Sequence, residues 1–191
     1  MVLIIVGASA SGKSTLAKAI EEQIPNFSRI VTYTTRPKRE NEIDGIDYHF
    51  ISEETFDGMI KQDVFVEHAS YRGWKYGTAI NFGNNENKIV VLTPAGARAF
   101  RRYRDKHPEL NIEVLVTYLD VDRRSRLIKM LERDLDVDEC IRRSMSDVGQ
   151  FDSFEDEADF VIKNDNYEKT VSDLSWYLGK IINEFKQNRE V

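Results

Sequence analysis

A chain of 191 residues with 41% hydrophobic side chains is long enough to bury one sizeable core, which bounds the architecture to a single domain with appendages. Its formal net charge of −6 is the wrong sign for a surface that coats nucleic acid, so any anion site must be local. The single cysteine, Cys140, excludes a disulfide framework and suits a reducing, cytoplasmic compartment. The first apolar run has no basic flank, and no stretch approaches the roughly 18 apolar residues of a membrane span, so a soluble, untargeted protein is expected.

That first run, Val2-Leu3-Ile4-Ile5-Val6, stops at a glycine and reads as a buried parallel strand. Gly7, Ala8, Ser9, Ala10, Ser11, Gly12, Lys13 and Ser14 then spell G-x-x-x-x-G-K-S, with Thr15 following. Leu16, Ile20 and Ile24 recur four apart as one helix face. Strand, glycine loop and helix together predict a phosphate cradle. Inward backbone N–H groups and the positive helix end hold the anion, Lys13 serves the outer phosphates, and the Ser14 hydroxyl ligates Mg2+. ATP, with Mg2+ as cofactor, is the expected occupant of residues 7–15.

Beyond Pro25 a β-branched strand is expected over residues 30–34, followed by an irregular charged loop through Pro37 to Glu42. Asp44-Gly45 signals a turn before a strand at 48–51. Ser52 caps a short helix with Phe56, Met59 and Ile60 on one face. Strands are expected over 64–69 and near 75–78, on either side of an Arg72-Gly73 turn, making residues 32–82 a small inserted β-rich unit. The parallel pattern returns at 88–92. Pro94 opens a helix to about Lys106, and a strand spans 112–118. Asp122 caps a helix with Leu127, Met130 and Leu131 inward; Asp138 caps another with Ile141, Met145 and Val148 inward. A buried strand at 160–162 precedes a terminal helix carrying Val171, Leu174, Leu178, Ile181 and Phe185. The alternation predicts an α/β fold, a three-layer sandwich with an open parallel sheet and right-handed crossovers.

Four ordered blocks carry a resemblance. They are the glycine loop; Val31-Thr32-Tyr33-Thr34-Thr35-Arg36-Pro37-Lys38-Arg39; Asp44-Gly45-Ile46-Asp47-Tyr48-His49-Phe50; and Phe65-Val66-Glu67 with Tyr76-Gly77-Thr78. Together with Val161-Ile162-Lys163-Asn164-Asp165, the chain resembles the guanylate kinases over nearly its whole length. The resemblance implies a P-loop nucleoside-triphosphatase fold of one domain. Its core would be residues 1–31, 83–132 and 147–191, its monophosphate-binding subdomain 32–82, and its helical lid about 133–146. It implies ATP and GMP or dGMP as substrates, no nucleic-acid or membrane partner, and a monomer or homodimer.

The same resemblance implies that Arg36, Arg39, Tyr48 and Tyr76 hold the acceptor phosphate, that Thr32, Glu67 and Thr78 read guanine, and that Asn164 lines the ATP site. The chemistry agrees. Guanidinium forks match phosphate oxygens, and tyrosine hydroxyls donate to them. An ionised carboxylate at Glu67 accepts from guanine N1–H and N2–H2 but is left unpaired against adenine, whose N1 is itself an acceptor. Leu131-Glu132-Arg133 and Ile141-Arg142-Arg143 resemble the family's lid. The second lid arginine would fall at Ser144, so a one-residue contraction places Arg143 over the phosphates, with Arg142 as the alternative. Lys13, Arg36, Arg133 and Arg143 are therefore the expected catalytic cations.

The chain departs from the family where a strand usually ends in an acidic D-x-D pattern and here reads Leu92-Thr93-Pro94-Ala95-Gly96. Two other readings follow: a ribose 1,5-bisphosphate kinase-like enzyme, in which Glu67 would have no base to read, and a non-catalytic module that binds a nucleotide or protein. Asp134, Asp136 and Asp138 lack the glycine and terminal glutamate of a calcium loop. His49, His68 and His107 have no metal-ligand spacing, so all three are structural.

Overall fold

A computed structural model of the chain describes residues 1–71, 73–80, 87–132 and 136–163, together with Ser172, Trp176, Leu178 and Gly179. In chain order the elements are β1 (Val2–Gly7), α1 (Lys13–Gln23), β2 (Phe27–Arg29), β3 (Tyr33–Thr34), β4 (His49–Phe50), α2 (Glu53–Lys61), β5 (Glu67–Tyr71) and β6 (Trp74–Thr78). They continue with β7 (Asn87–Leu92), α3 (Pro94–Lys106), β8 (Val114–Asp120), α4 (Arg123–Leu131), α5 (Val137–Ser146) and β9 (Phe160–Lys163).

The main sheet runs β2-β7-β1-β8-β9 with every pairing parallel; β1, β7, β8 and β9 fall on the predicted apolar runs, and β2 does not. β1 lies at its centre, and its alternate side chains feed two cores. Leu3 and Ile5 pack with Leu16, Ile20, Ile89 and Leu178 on one face. Val2, Ile4 and Val6 pack with Val90, Ala97, Phe100 and Phe154 on the other. Helices therefore cover both faces, giving the expected three layers. Leu178, the innermost described residue of the terminal segment, is fully buried against the α1 face.

The second sheet, β4-β3-β6-β5, is mixed: β3 pairs parallel to β4 and antiparallel to β6, and β5 with β6 forms a hairpin. It differs from expectation at its entry. Of the strand expected over 30–34 only Tyr33–Thr34 forms, and an unpredicted edge strand of the main sheet precedes it at Phe27–Arg29, because the chain changes sheets between them. The Ile30 N–H donates to the Ile89 carbonyl of the main sheet, whereas the Thr32 carbonyl accepts from His49 of the second. β5 also starts at Glu67 rather than Val64, since Phe65 folds inward to stack on Phe56 at 4.6 Å. Ser52 does cap α2, accepting from the Thr55 N–H, and Thr93 caps α3 in the same way through the Gly96 N–H.

The helix pair α4 and α5 overturns one packing expectation. Met130 is buried, but Leu131, Ile141, Met145 and Val148 are exposed, and Asp136 rather than Asp138 caps α5. Cys140 and Ser144, four apart, form the buried face instead. Their small side chains let the helices approach closely enough for Arg123 Nε to donate to Ser144 Oγ at 2.8 Å.

Candidate active site

The glycine loop between β1 and α1 closes on itself: Ser11 N–H donates to the Ala8 carbonyl, and Gly12, at φ 97°, turns the chain into the helix. The Lys13 ammonium crosses this loop to donate to the Ala8 carbonyl at 2.8 Å. Burial pulls its pKa down to about 8, against the opposing charge of Asp147 and with the help of Arg126. Ser14 is exposed on the open side, lining a cavity of about 320 Å3 that also carries Thr32, Arg36, Arg39, Tyr48 and Tyr76. Among the described residues no cluster of His, Cys, Asp or Glu could hold a metal by itself. An exposed hydroxyl beside a phosphate cradle fits an ion that keeps most of its ligands as water and phosphate oxygen, which is the habit of Mg2+.

The second cavity, about 250 Å3, is lined by Ser9 and Lys13 of the glycine loop together with Glu67, Thr78, Thr32 and Tyr76. Glu67 and Thr78 are register partners on β5 and β6, which aims both side chains the same way. Glu67 is buried, and Thr78 Oγ1 donates to its Oε1 at 2.6 Å. Burial pushes the Glu67 pKa up, and the Thr78 bond partly offsets that. A hydroxyl has one hydrogen, so in this state Thr78 orients Glu67 rather than donating elsewhere. The floor under the carboxylate is α3: a Cβ at Gly96 would stand 3.2 Å from Glu67 Oε2 and 3.2 Å from Leu92 Cβ.

The charged loop after β3 presents Arg36, which is buried although it is an arginine. Its NH1 and NH2 donate to the two Glu42 oxygens at 2.9 and 2.7 Å, and NH1 also reaches the Pro37 carbonyl. The guanidinium lies over the Tyr48 and Phe50 rings at 5.4 and 5.5 Å. Arg39 stands beside it, its guanidinium held below its ordinary value by partial burial and by the charges of Arg36 and Arg143. Tyr48 and Tyr76 meet edge to face at 6.1 Å.

A family model described as guanylate kinase matches residues 1–181. The chain belongs to the guanylate kinase family. The guanylate kinase of Haemophilus influenzae is 33% identical over 181 residues, 90% of this chain and 83% of that protein. That of Legionella pneumophila (strain Paris) is 28% identical over 174 residues, 90% of this chain and 81% of its own length. A crystal structure of guanylate kinase from Anaplasma phagocytophilum superposes with a TM-score of 0.67 at 22% identity, covering 94% of this chain and 85% of that one, so the fold is shared.

For this guanylate kinase family member, the structure gathers Thr32, Tyr48, Glu67, Tyr76 and Thr78 round one cavity with Ser9 and Lys13, and Ser14, Arg36 and Arg39 round the adjoining one. Arg143 Nε donates to Glu139 at 2.6 Å, and Arg142 also pairs with Glu139. Arg133 and Asn164 lie outside the described residues. Thr93, in the stretch that lacks the family's acids, caps α3 at 3.2 Å. Sequence reasoning missed Glu42, Gly96, Arg126 and Asp147. Glu42, three residues after Arg39, and Gly96, in the first turn of a capped helix, carried weak local signals; Arg126 and Asp147 carried none.

Proposed function

We infer that this chain transfers the γ-phosphoryl group of ATP to GMP or dGMP, acting in the cytoplasm with Mg2+ on the triphosphate. The observation that carries the reading is Glu67, a buried carboxylate held by Thr78 in a cavity that Lys13 also lines. Guanine N1–H and N2–H2 are side-by-side donors that match this acceptor, whereas adenine presents an acceptor at N1 and leaves the carboxylate incompletely paired. Arg36, Arg39, Tyr48 and Tyr76 then hold the acceptor phosphate from the neighbouring cavity.

No general base is required, because the acceptor phosphate is already anionic. The residues position the two phosphates in line, neutralise charge through Lys13, Arg36 and Arg39, and exclude water as the helical lid around α5 closes. Ser14 would hold the divalent ion, which would supply charge neutralisation to the triphosphate when bound. Within this reading the second sheet belongs to the monophosphate-binding subdomain expected over residues 32–82. Coupled measurement of ADP release with GMP, dGMP, AMP, CMP and UMP tests the proposal: turnover with the two guanine nucleotides is expected, and turnover with AMP but not GMP would overturn it. Sugar-phosphate transfer predicts that Glu67→Ala leaves turnover intact. Thr93 in place of an acid favours one second reading, a non-catalytic binding module, which predicts calorimetric binding of GMP and ATP with no ADP formed.

A further inference from the structure

Arg126 lies in the second turn of α4, and its plane is fixed by donation from Nε to the Val121 carbonyl at 3.0 Å. Its NH1 donates to Asp147 Oδ2 at 3.1 Å, with the two side chains only 12% and 11% exposed. Asp147 caps the C-terminus of α5, yet its carboxylate lies on the glycine loop. Oδ2 accepts from the Ser9 N–H at 2.9 Å, and Oδ1 accepts from Ser9 Oγ at 3.2 Å. Ser9, Lys13 and Asp147 face one cavity.

A carboxylate oxygen on a P-loop amide has the charge and the acceptor geometry of a phosphate oxygen. An oxygen placed where Asp147 Oδ2 now stands finds a backbone N–H at 2.9 Å and a guanidinium at 3.1 Å without any movement of Arg126. Arg143, the arginine expected over the phosphates, is instead turned to Glu139.

We propose that Asp147 is an internal substitute for the triphosphate, and that Arg126 is a catalytic arginine which takes over the phosphate oxygen that displaces it. This rests on the ATP-using reading above. ATP binding moves the carboxylate off Ser9, and Arg126 passes from one anion to another without leaving its anchor on Val121. The exchange raises the negative charge facing Lys13 and Arg126, so a polyanion competes well against a single carboxylate. In the transfer, an acceptor-phosphate oxygen bonds to the γ-phosphorus as the bond to the β,γ-bridging oxygen breaks. The electron pair stays on ADP, where charge builds within reach of Arg126, and no proton moves.

Two arms test this. Asp147→Asn keeps the shape and removes the competing charge, so a non-hydrolysable ATP analogue, titrated calorimetrically with no acceptor present, should bind about threefold tighter or more. Unchanged or weaker binding would make Asp147 a permanent strut and overturn the exchange. Arg126→Ala should lower kcat about a hundredfold with the KM for GMP within twofold. Should that variant fail to fold, Arg126→Lys, which keeps the charge but loses the fork, should show a smaller kcat loss at a native melting temperature. Wild-type kcat in whichever variant folds overturns the role of Arg126. A wild-type protein inactive on GMP would refute the kinase reading, while the analogue titration would still decide the exchange at Ser9.

Discussion

The hydroxyl of Thr78 donates to Glu67 Oε1 at 2.6 Å, and this bond opposes the burial that drives the Glu67 pKa upward. Burial outweighs the bond, so the carboxylate proposed to read guanine keeps a raised pKa, and its strand partner is what offsets that burial in part.

From this follows a pH prediction. On the proposed function the charged form of Glu67 binds guanine, so GMP affinity should fall on acidification at a pH where ordinary carboxylates are still ionised. Thr78→Val removes the bond at constant shape, raises the Glu67 pKa further, and should move the acid limb of KM for GMP to higher pH while weakening binding about tenfold. KM for GMP measured from pH 5 to 8 in wild type, Thr78→Val and Glu67→Gln checks this. Superimposable profiles in all three would show that Glu67 does not titrate against GMP.

Gly96 should separate stability from function. It sits in the first turn of α3 with no backbone need for glycine, so the helix-propensity gain of up to about 1 kcal/mol from alanine is set against the 3.2 Å approach of its Cβ to Leu92 Cβ, and the melting temperature should change little. The added Cβ stands 3.2 Å from Glu67 Oε2 and must displace the carboxylate by a few tenths of an ångström. We predict a KM for GMP raised about five- to twentyfold in Gly96→Ala, with ATP affinity unaffected. Thermal melts alongside steady-state kinetics decide it, and a stable variant with native KM would sink the idea.

Lys13 carries a pH dependence of its own. Burial lowers its pKa from 10.5 to about 8 in the nucleotide-free protein, so between those values the unfolded chain holds more protons than the folded one. Stability should therefore rise with pH across that window. Below pH 8 the buried charge costs about 3 kcal/mol, a cost that Lys13→Met should relieve in melts at pH 7 but not at pH 10.5. Phosphates favour the charged ammonium, so ATP affinity should fall as pH rises above 8, with proton uptake on binding. Calorimetry in two buffers of different ionisation enthalpy reads that uptake directly; none at pH 8.5 would contradict the assigned pKa.

Much of this molecule is written in one dimension. The four apolar runs that became β1, β7, β8 and β9, the G-x-x-x-x-G-K-S loop, the Ser52 cap and the Pro94 helix start were legible because strand alternation, turn chemistry and capping are set by neighbours a few residues away, whereas the edge strand β2, Phe27-Ser28-Arg29, has no such run. Thr32, Arg36, Glu67 and Thr78, singled out by their ordered blocks, are residues that the fold brings to the two cavities. Tertiary structure alone decided which groups these residues meet. Asp147 reaches Ser9 across 138 positions, and Gly96 slides beneath Glu67 from another element. Glu42 forks onto Arg36 through a loop without periodicity, and α5 buries Cys140 and Ser144 while its larger apolar residues face outward. Periodicity marks the possible faces of a helix, but the distance to the neighbouring helix selects one. A carboxylate's partner is likewise whichever donor the folded backbone brings within 3 Å, and that is a property of the assembled layers rather than of any local run.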